Sequence, residues 1–134
     1  MKRYLVLLIL FLFISSPLLA HSGSIPISWD KNTEEDLAGY KIYYNINTPG
    51  EPYIGVGAKE GDSPIILPLA ELFDPNNPEF VLSGLSDTTY YIAVTAIDTG
   101  NLESLYSNEV SATITNIIPP SPPRNCIIRE LQHN

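Results

Sequence analysis

The chain has 134 residues, of which fifteen are acidic and seven are basic, and its formal net charge at pH 7 is −8. A nucleic-acid partner and an anionic membrane surface are both disfavoured, because binding to phosphate groups needs a basic stripe that this composition does not supply. The single cysteine, Cys126, excludes a disulfide within the chain. One domain that folds around an ordinary apolar core is the expected organisation.

The first twenty residues are typical of a Sec-type signal peptide. A basic start at Lys2 and Arg3 is followed by the apolar run from Tyr4 to Ile14, and the segment ends on the small residue Ala20. Cleavage after Ala20 predicts a secreted or periplasmic protein, with an uncleaved membrane anchor as the alternative. The apolar run is short for a membrane span.

Alternating apolar and polar residues predict the first strands. Ile25, Ile27 and Trp29 share one face of a strand, and Pro26 on the other face places that strand at a sheet edge, because proline cannot donate to a ladder. Residues 30–38 form a polar connection. The alternation resumes over residues 39–44, with Tyr40, Ile42 and Tyr44 inward and Lys41 and Tyr43 outward.

The middle of the chain is less regular. Residues 53–57 suggest a short strand interrupted by glycine. Residues 61–79 carry four prolines and predict an edge strand near Ile65 to Leu69, a helical turn over residues 70–73 and a turn at 74–78. Residues 80–85 predict a strand that leads into the central one.

The central strand is predicted at Thr88 to Asp98, where β-branched and aromatic residues alternate between two faces. After a hairpin, residues 106–114 predict a last strand with Val110, Ala112 and Ile114 inward. Six to seven short strands separated by turns indicate an all-β, antiparallel sandwich of the immunoglobulin-like kind.

Five blocks in order, ISWD, DLAGYKIYY, LSGL, TTYYIAVTAID and YSNEV, resemble a fibronectin type III domain over Ile25 to Ile114. They are most similar to the single modules of exported bacterial proteins. The resemblance implies that Trp29 and Leu85 anchor the core and that the hydroxyl of Tyr90 bonds back to the preceding corner. The expected core residues are Trp29, Tyr40, Ile42, Leu85, Tyr90, Ile92, Val94 and Val110.

The family's first strand, strand A, has no counterpart before Ile25 once the signal peptide is removed. The predicted organisation is therefore a signal peptide at residues 1–20, a domain at 21–116 and a proline-rich tail at 117–134. The tail from Pro119 to Ile128 resembles a linker and strand A of a following module, with Cys126 at an inward position. It suggests head-to-tail self-association, against the alternatives of a disordered tail and an intermolecular disulfide through Cys126.

Two surfaces are candidate sites. Tyr43, Tyr53 and Tyr91 point outward and predict a platform for a protein or a polysaccharide at the cell surface, or else a pair that only stabilises the sheet. The loops at 30–36 and 98–103 should meet at one acidic pole, where calcium binding competes with the simpler interpretation of solvated turns. The weak candidate metal ligands are Asp30, Glu34, Asp36, Asp98 and Glu103.

Catalysis has little support, because His21 and His133 lie near the chain ends and Cys126 has no neighbouring base. The alternative is a small copper enzyme in which His21, as the mature N-terminus, chelates the metal with a second histidine. The favoured function is a non-enzymatic, exported binding, adhesion or assembly module without a cofactor.

Overall fold

A computed structural model describes residues 22–115, 117 and 120–124. The predicted signal peptide at residues 1–20, His21, and the tail residues Cys126 to Ile128 and His133 lie outside this part of the chain, so the expectations for them stay predictions. The described part forms six strands and one 3-10 turn at Leu69–Glu71. The strands are β1 Gly23–Ser28, β2 Leu37–Ile46, β3 Ile65–Pro68, β4 Glu79–Leu85, β5 Thr89–Asp98 and β6 Val110–Thr113.

The strands form two antiparallel sheets. One contains β1 and β4, and the other has the order β3-β2-β5-β6. This all-β, two-sheet arrangement is consistent with a β-sandwich. β1 is an edge strand, as the position of Pro26 predicts, and β5 is a central strand between β2 and β6.

The core lies between the sheets and follows the period-two alternation. In β2, Tyr40, Ile42 and Tyr44 are buried, whereas Lys41 and Tyr43 face outward and are half-buried. The buried core residues, with half-buried Trp29 and Val94 packed against them, include Ile25, Tyr40, Ile42, Tyr44, Leu82, Leu85, Tyr90 and Ile92.

The corner before β5 has the contact that the resemblance implies. The Tyr90 hydroxyl accepts a hydrogen bond from the Ser86 backbone N–H at 3.0 Å. The two residues are four apart in sequence, so the ring holds the turn that leads into the central strand while its body stays in the core.

The expected strand at residues 53–57 is absent, and that prediction is wrong. The Gly55 N–H does bond to the Tyr44 carbonyl at 2.8 Å, but the next anchor of this segment is a side chain, since Asn45 accepts the Ile54 N–H at 2.7 Å. A buried amide thus replaces a ladder of backbone bonds. Residues 61–79, in contrast, do form an edge strand, a 3-10 turn and a loop.

The last strand is shorter than the sequence pattern predicts. Before Val110 the chain follows β5 through serine side chains: the hydroxyls of Ser104 and Ser107 accept the N–H groups of Ala96 and Val94 at 2.9 and 3.0 Å. Val110 was expected in the core, but 45% of it is exposed. It stands opposite Ile92 in the register, on an edge strand, and lines an open cleft together with residues of β1.

Within the described residues, no helix has the length and apolar character needed to cross a membrane.

Candidate functional site

Three tyrosines cluster on the outer face of the four-stranded sheet. The ring of Tyr106 lies 4.9 Å from that of Tyr43 and 5.2 Å from that of Tyr53, and the Tyr43 and Tyr53 rings are 6.1 Å apart. The edge-to-face geometry of the Tyr43–Tyr106 pair is a favoured aromatic arrangement. Tyr91 was expected in this group, but among the described ring pairs Tyr106 takes its place. Tyr106 begins the segment that the sequence predicts as the last strand, but in the structure it stands in irregular chain before β6.

Two glutamates bind the hydroxyls of this cluster. Tyr43 donates to Glu103 at 2.6 Å, and Tyr53 donates to Glu109 at 2.7 Å. Burial, together with the hydrogen bond to Glu109, raises the pKa of Tyr53 to about 12. Burial also raises the pKa of Tyr43, with Glu103 adding to the effect. Both tyrosines therefore remain neutral hydrogen-bond donors at physiological pH.

Glu103 is held by three partners at once. Besides Tyr43, it accepts from Lys41 at 2.5 Å and from Thr95 at 2.7 Å. Burial raises the pKa of this carboxyl, but the hydrogen bonds from Lys41, Tyr43 and Thr95 outweigh burial, and the net pKa is lowered. A carboxylate so fully occupied is part of the structure, and it has few free lone pairs to offer a ligand.

Asn45 fixes the loop that carries Tyr53. Its buried side-chain amide donates to the carbonyls of Gly50 and Pro52 at 2.8 and 2.9 Å, and its oxygen accepts from the Ile54 N–H. The loop is thereby held across the sheet, and Tyr53 is buried.

The tyrosine cluster is a second small core. Ala93 and Thr95 lie on the outer face of β5 and are nevertheless buried, at 1% and 3% exposure. Of the three clustered tyrosines, Tyr106 alone reaches 37% exposure. A sugar platform needs open ring faces, and most of these rings are covered by one another.

The two acidic loops do meet at one pole. The Thr99 N–H donates to the Asp36 carbonyl at 2.9 Å, and a cleft of about 220 Å³ lies between the loops. The Asp98 carboxylate accepts the N–H groups of Gly100 and Leu102, both at 2.8 Å, and so caps its own turn. Among the described residues, no three acidic, histidine or cysteine side chains form a metal-binding group. The predicted metal ligands belong to this described part of the chain and form no such group: Asp30, Glu34, Asp36, Asp98 and Glu103.

A large opening lies between the two sheets, on the flank where β1 and β6 are the edge strands. A cleft of about 520 Å³ there is continuous with one of about 290 Å³ beside β6, because both are lined by Ile27, Ser28, Ile92 and Val110. We call this continuous cleft the β1 groove. Its further lining residues are Ile25, Pro26, Trp29, Asp30, Asn32, Tyr40, Val94, Thr95, Ala96, residues 104–108, Ser111 and Ala112.

Trp29 forms part of the groove wall. Its ring packs edge-on against Tyr40 at 5.0 Å, and its indole N–H is buried without a hydrogen-bond partner among the described residues. On the opposite wall, Leu105 is 92% exposed and Val110 is 45% exposed. The groove thus exposes apolar side chains to water beside polar ones such as Asn32 and Ser107.

The backbone of β1 also faces this opening. The Trp29 N–H donates to the Pro78 carbonyl at 3.2 Å, and hydrogen-bonded pairs alternate along an antiparallel ladder. By that alternation, the backbone groups of Ser24, Pro26 and Ser28 point to the outer edge. No described residue outside the β1–β4 pair bonds to them. Pro26 has no N–H, so the edge offers two donors and three acceptors.

Searches against protein-family models, curated proteins and solved structures find no match to this chain.

Proposed function

We propose that this chain is an exported, non-enzymatic binding or assembly module with a fibronectin type III-like sandwich, and that it binds an extended segment of a partner protein in the β1 groove. The observation that carries the proposal is the coincidence of an open groove, lined partly by exposed apolar side chains, with a strand edge that no described residue pairs. Extended peptides add to such edges through main-chain hydrogen bonds, while alternate side chains fill the adjoining pockets.

Two features support the fibronectin type III assignment. The Tyr90–Ser86 hydrogen bond holds the corner before β5. Leu85, directly before that corner, is buried at 2% exposure, and Trp29 packs against the same core. Both features occur where the resemblance of the sequence implies them.

The groove is a better binding surface than the tyrosine face. Tyr53 is buried, and the hydroxyls of Tyr43 and Tyr53 already donate to glutamates. A polysaccharide would find few free polar tips there. The groove, in contrast, exposes apolar side chains and backbone groups together, which is what an extended polypeptide recognises.

Trp29 supplies the test, because it is the only tryptophan of the chain and it lines the groove. Residues 21–116, which contain all six strands, would be titrated with the peptide Lys-Thr-Val-Thr-Val-Thr-Val-Lys. We expect a saturable blue shift of the Trp29 emission and shifts of the Ser24 and Ser28 amide resonances. The control peptide Lys-Val-Val-Val-Thr-Thr-Thr-Lys has the same composition without the alternation.

A matched pair of variants locates the binding. Val110→Glu places a charge in the groove, whereas Val81→Glu places one on β4 at nearly the same exposure, 49% against 45%. We expect Val110→Glu to weaken peptide binding about tenfold or more and Val81→Glu to leave it unchanged. Equal loss in both variants, or no saturable shift with the unaltered protein, contradicts a groove that accepts strands.

A further inference from the structure

The charge and composition of the chain indicate which polypeptide segment binds in the groove. We propose that the β1 groove of one copy receives the tail segment Pro119 to Ile128 of a second copy, so that the molecules associate head to tail. This inference rests on the proposed function, since it requires that the groove accepts an extended segment. It adds the identity of that segment.

The tail has the chemistry of an added strand. Four prolines between Pro119 and Pro123 favour an extended polyproline conformation, which lowers the entropy lost on binding. The run Cys126-Ile127-Ile128 follows with three apolar side chains, and a buried cysteine packs as a small hydrophobe. Where the structure describes the tail, at residues 120–124, every residue is exposed. These residues are therefore available to another molecule.

Charge also favours this pairing. Residues 22–115 carry three lysines and fourteen acidic side chains, whereas both arginines after residue 3, Arg124 and Arg129, stand in the tail. The segment Pro119 to Ile128 carries one charged side chain, Arg124, and its positive charge is attracted to so acidic a surface. Asp30 lines the groove two residues after the end of β1. A segment antiparallel to β1 would bring its beginning, with Arg124, to the Asp30 end.

The positions of the strand ends favour binding of the tail to a second copy over binding to its own domain. Gly23 at the start of β1 packs closely against Ile114, the residue after β6. The tail therefore leaves the domain beside the start of β1, whereas an antiparallel strand must enter at the other end, beside Trp29. The six residues of β1 cover about 20 Å. To bind in its own groove, the tail would have to run the length of β1 and then reverse direction. The stiff proline-rich segment at the start of the tail opposes such a reversal.

Head-to-tail contacts use two different surfaces, so they do not have to close after two copies. They generate rings or open chains. The protein is thus expected to form oligomers whose mean mass rises with concentration.

The test uses the full mature chain with Cys126→Ser, which removes any intermolecular disulfide. Sedimentation over a hundredfold range of concentration would compare four proteins: this chain, its Val110→Glu and Val81→Glu variants, and a chain that ends at Asn116. We expect concentration-dependent growth for the first protein and for Val81→Glu. Val110→Glu should weaken the affinity of self-association about tenfold or more, and the shortened chain should be a monomer.

A second measurement keeps the result interpretable. A synthetic peptide of residues 119–134 with serine at the cysteine position would be titrated into the shortened chain, with Trp29 emission as the signal. We expect saturable binding that Val110→Glu weakens. If the alternating peptide binds and the tail peptide does not, head-to-tail pairing is excluded while strand acceptance stands.

Two further results would overturn the inference. A full-length chain that stays monomeric at all concentrations, with its groove occupied by its own tail, excludes pairing between copies. Slow exchange of the Ser24 and Ser28 amides in the monomeric shortened chain would mean that the β1 edge is already covered within the domain, and no acceptor would remain.

Discussion

The two outer edges of the two-stranded sheet are treated in opposite ways. On the β4 side, residues 58–60 lie along the strand: the Lys59 N–H donates to the Ser83 carbonyl at 2.9 Å, and the Glu60 carboxylate accepts the Ser83 N–H at 2.8 Å. The β1 edge has no such cover within the described residues. The same sheet is thus closed on one flank and open on the other, and water-exposed apolar side chains occur on the open one.

This difference shows that one all-β fold of two antiparallel sheets can cover one strand edge and leave another without cover among its described residues. Natural proteins cover or blunt their strand edges, because an uncovered edge pairs with other chains. Glu60 and Lys59 cover β4, whereas β1 is blunted only by Pro26. On the proposed function, such a partially blunted edge would favour specific strand addition over general aggregation.

The largest effect should follow from truncation at the closed flank. Leu82 on β4 is fully buried, so Leu82→Ala removes buried methyl groups and leaves a cavity where the surroundings are already held in place. We expect a loss of about 2–5 kcal/mol in the free energy of unfolding, measured by urea denaturation. A loss below about 1 kcal/mol would mean that the closed flank is no better packed than the open one.

Trp29→Ala tests the open flank with a larger side chain. Replacement of a fully packed tryptophan by alanine lowers the free energy of unfolding by about 3–5 kcal/mol. Trp29 already borders the groove and is only partly buried, so we expect about 2 kcal/mol in denaturation followed by circular dichroism. A cost equal to that of a fully packed tryptophan would argue that the groove is closed in solution.

Glu60→Gln removes the charge that covers the β4 edge. Glu60 accepts from both the backbone N–H and the hydroxyl of Ser83, so its replacement weakens two charge-assisted bonds. Because the site is exposed, we expect a loss of only about 1 kcal/mol. The same denaturation measurement would show no change if Lys59 alone held the edge. Glu79→Gln, at an exposed site on the same strand, is the control.

The smallest effect concerns pH. Burial raises the pKa of Glu60, but the bonds from Ser83 outweigh it, and the net pKa is lowered. A carboxyl group whose pKa is lower in the folded than in the unfolded chain stabilises the fold at pH values above its unfolded pKa, which is about 4.3. That stability is lost as the pH falls through the folded pKa. The Ser83 amide resonance should therefore titrate with a midpoint below about 4.3. The amide resonances of Ser24 and Ser28 should not change over this pH range. A titration midpoint that they share with the Ser83 amide would contradict the difference between the covered β4 edge and the open β1 edge.

Sequence patterns predicted the strands where alternation is regular. In β2 and β5, apolar and aromatic residues repeat with period two, and the faces follow directly from that repeat. Pro26 likewise identified β1 as an edge, since a missing donor is tolerated only there. The prediction failed at residues 53–57, where Asn45 replaces the ladder, and at Val110, whose burial depends on whether another strand lies over it.

The amino-acid sequence by itself determined the all-β class, the inward faces of the central strands, the edge position of β1 and the acidic charge, because each depends on local alternation or composition. Tertiary structure alone decided that Tyr106 joins Tyr43 and Tyr53 and that one flank of the sheet is open. Those features depend on residues distant in sequence: Glu103 lies 62 residues from Lys41, and Glu60 lies 23 residues from Ser83. No local pattern encodes such a distance, so packing alone produces the groove.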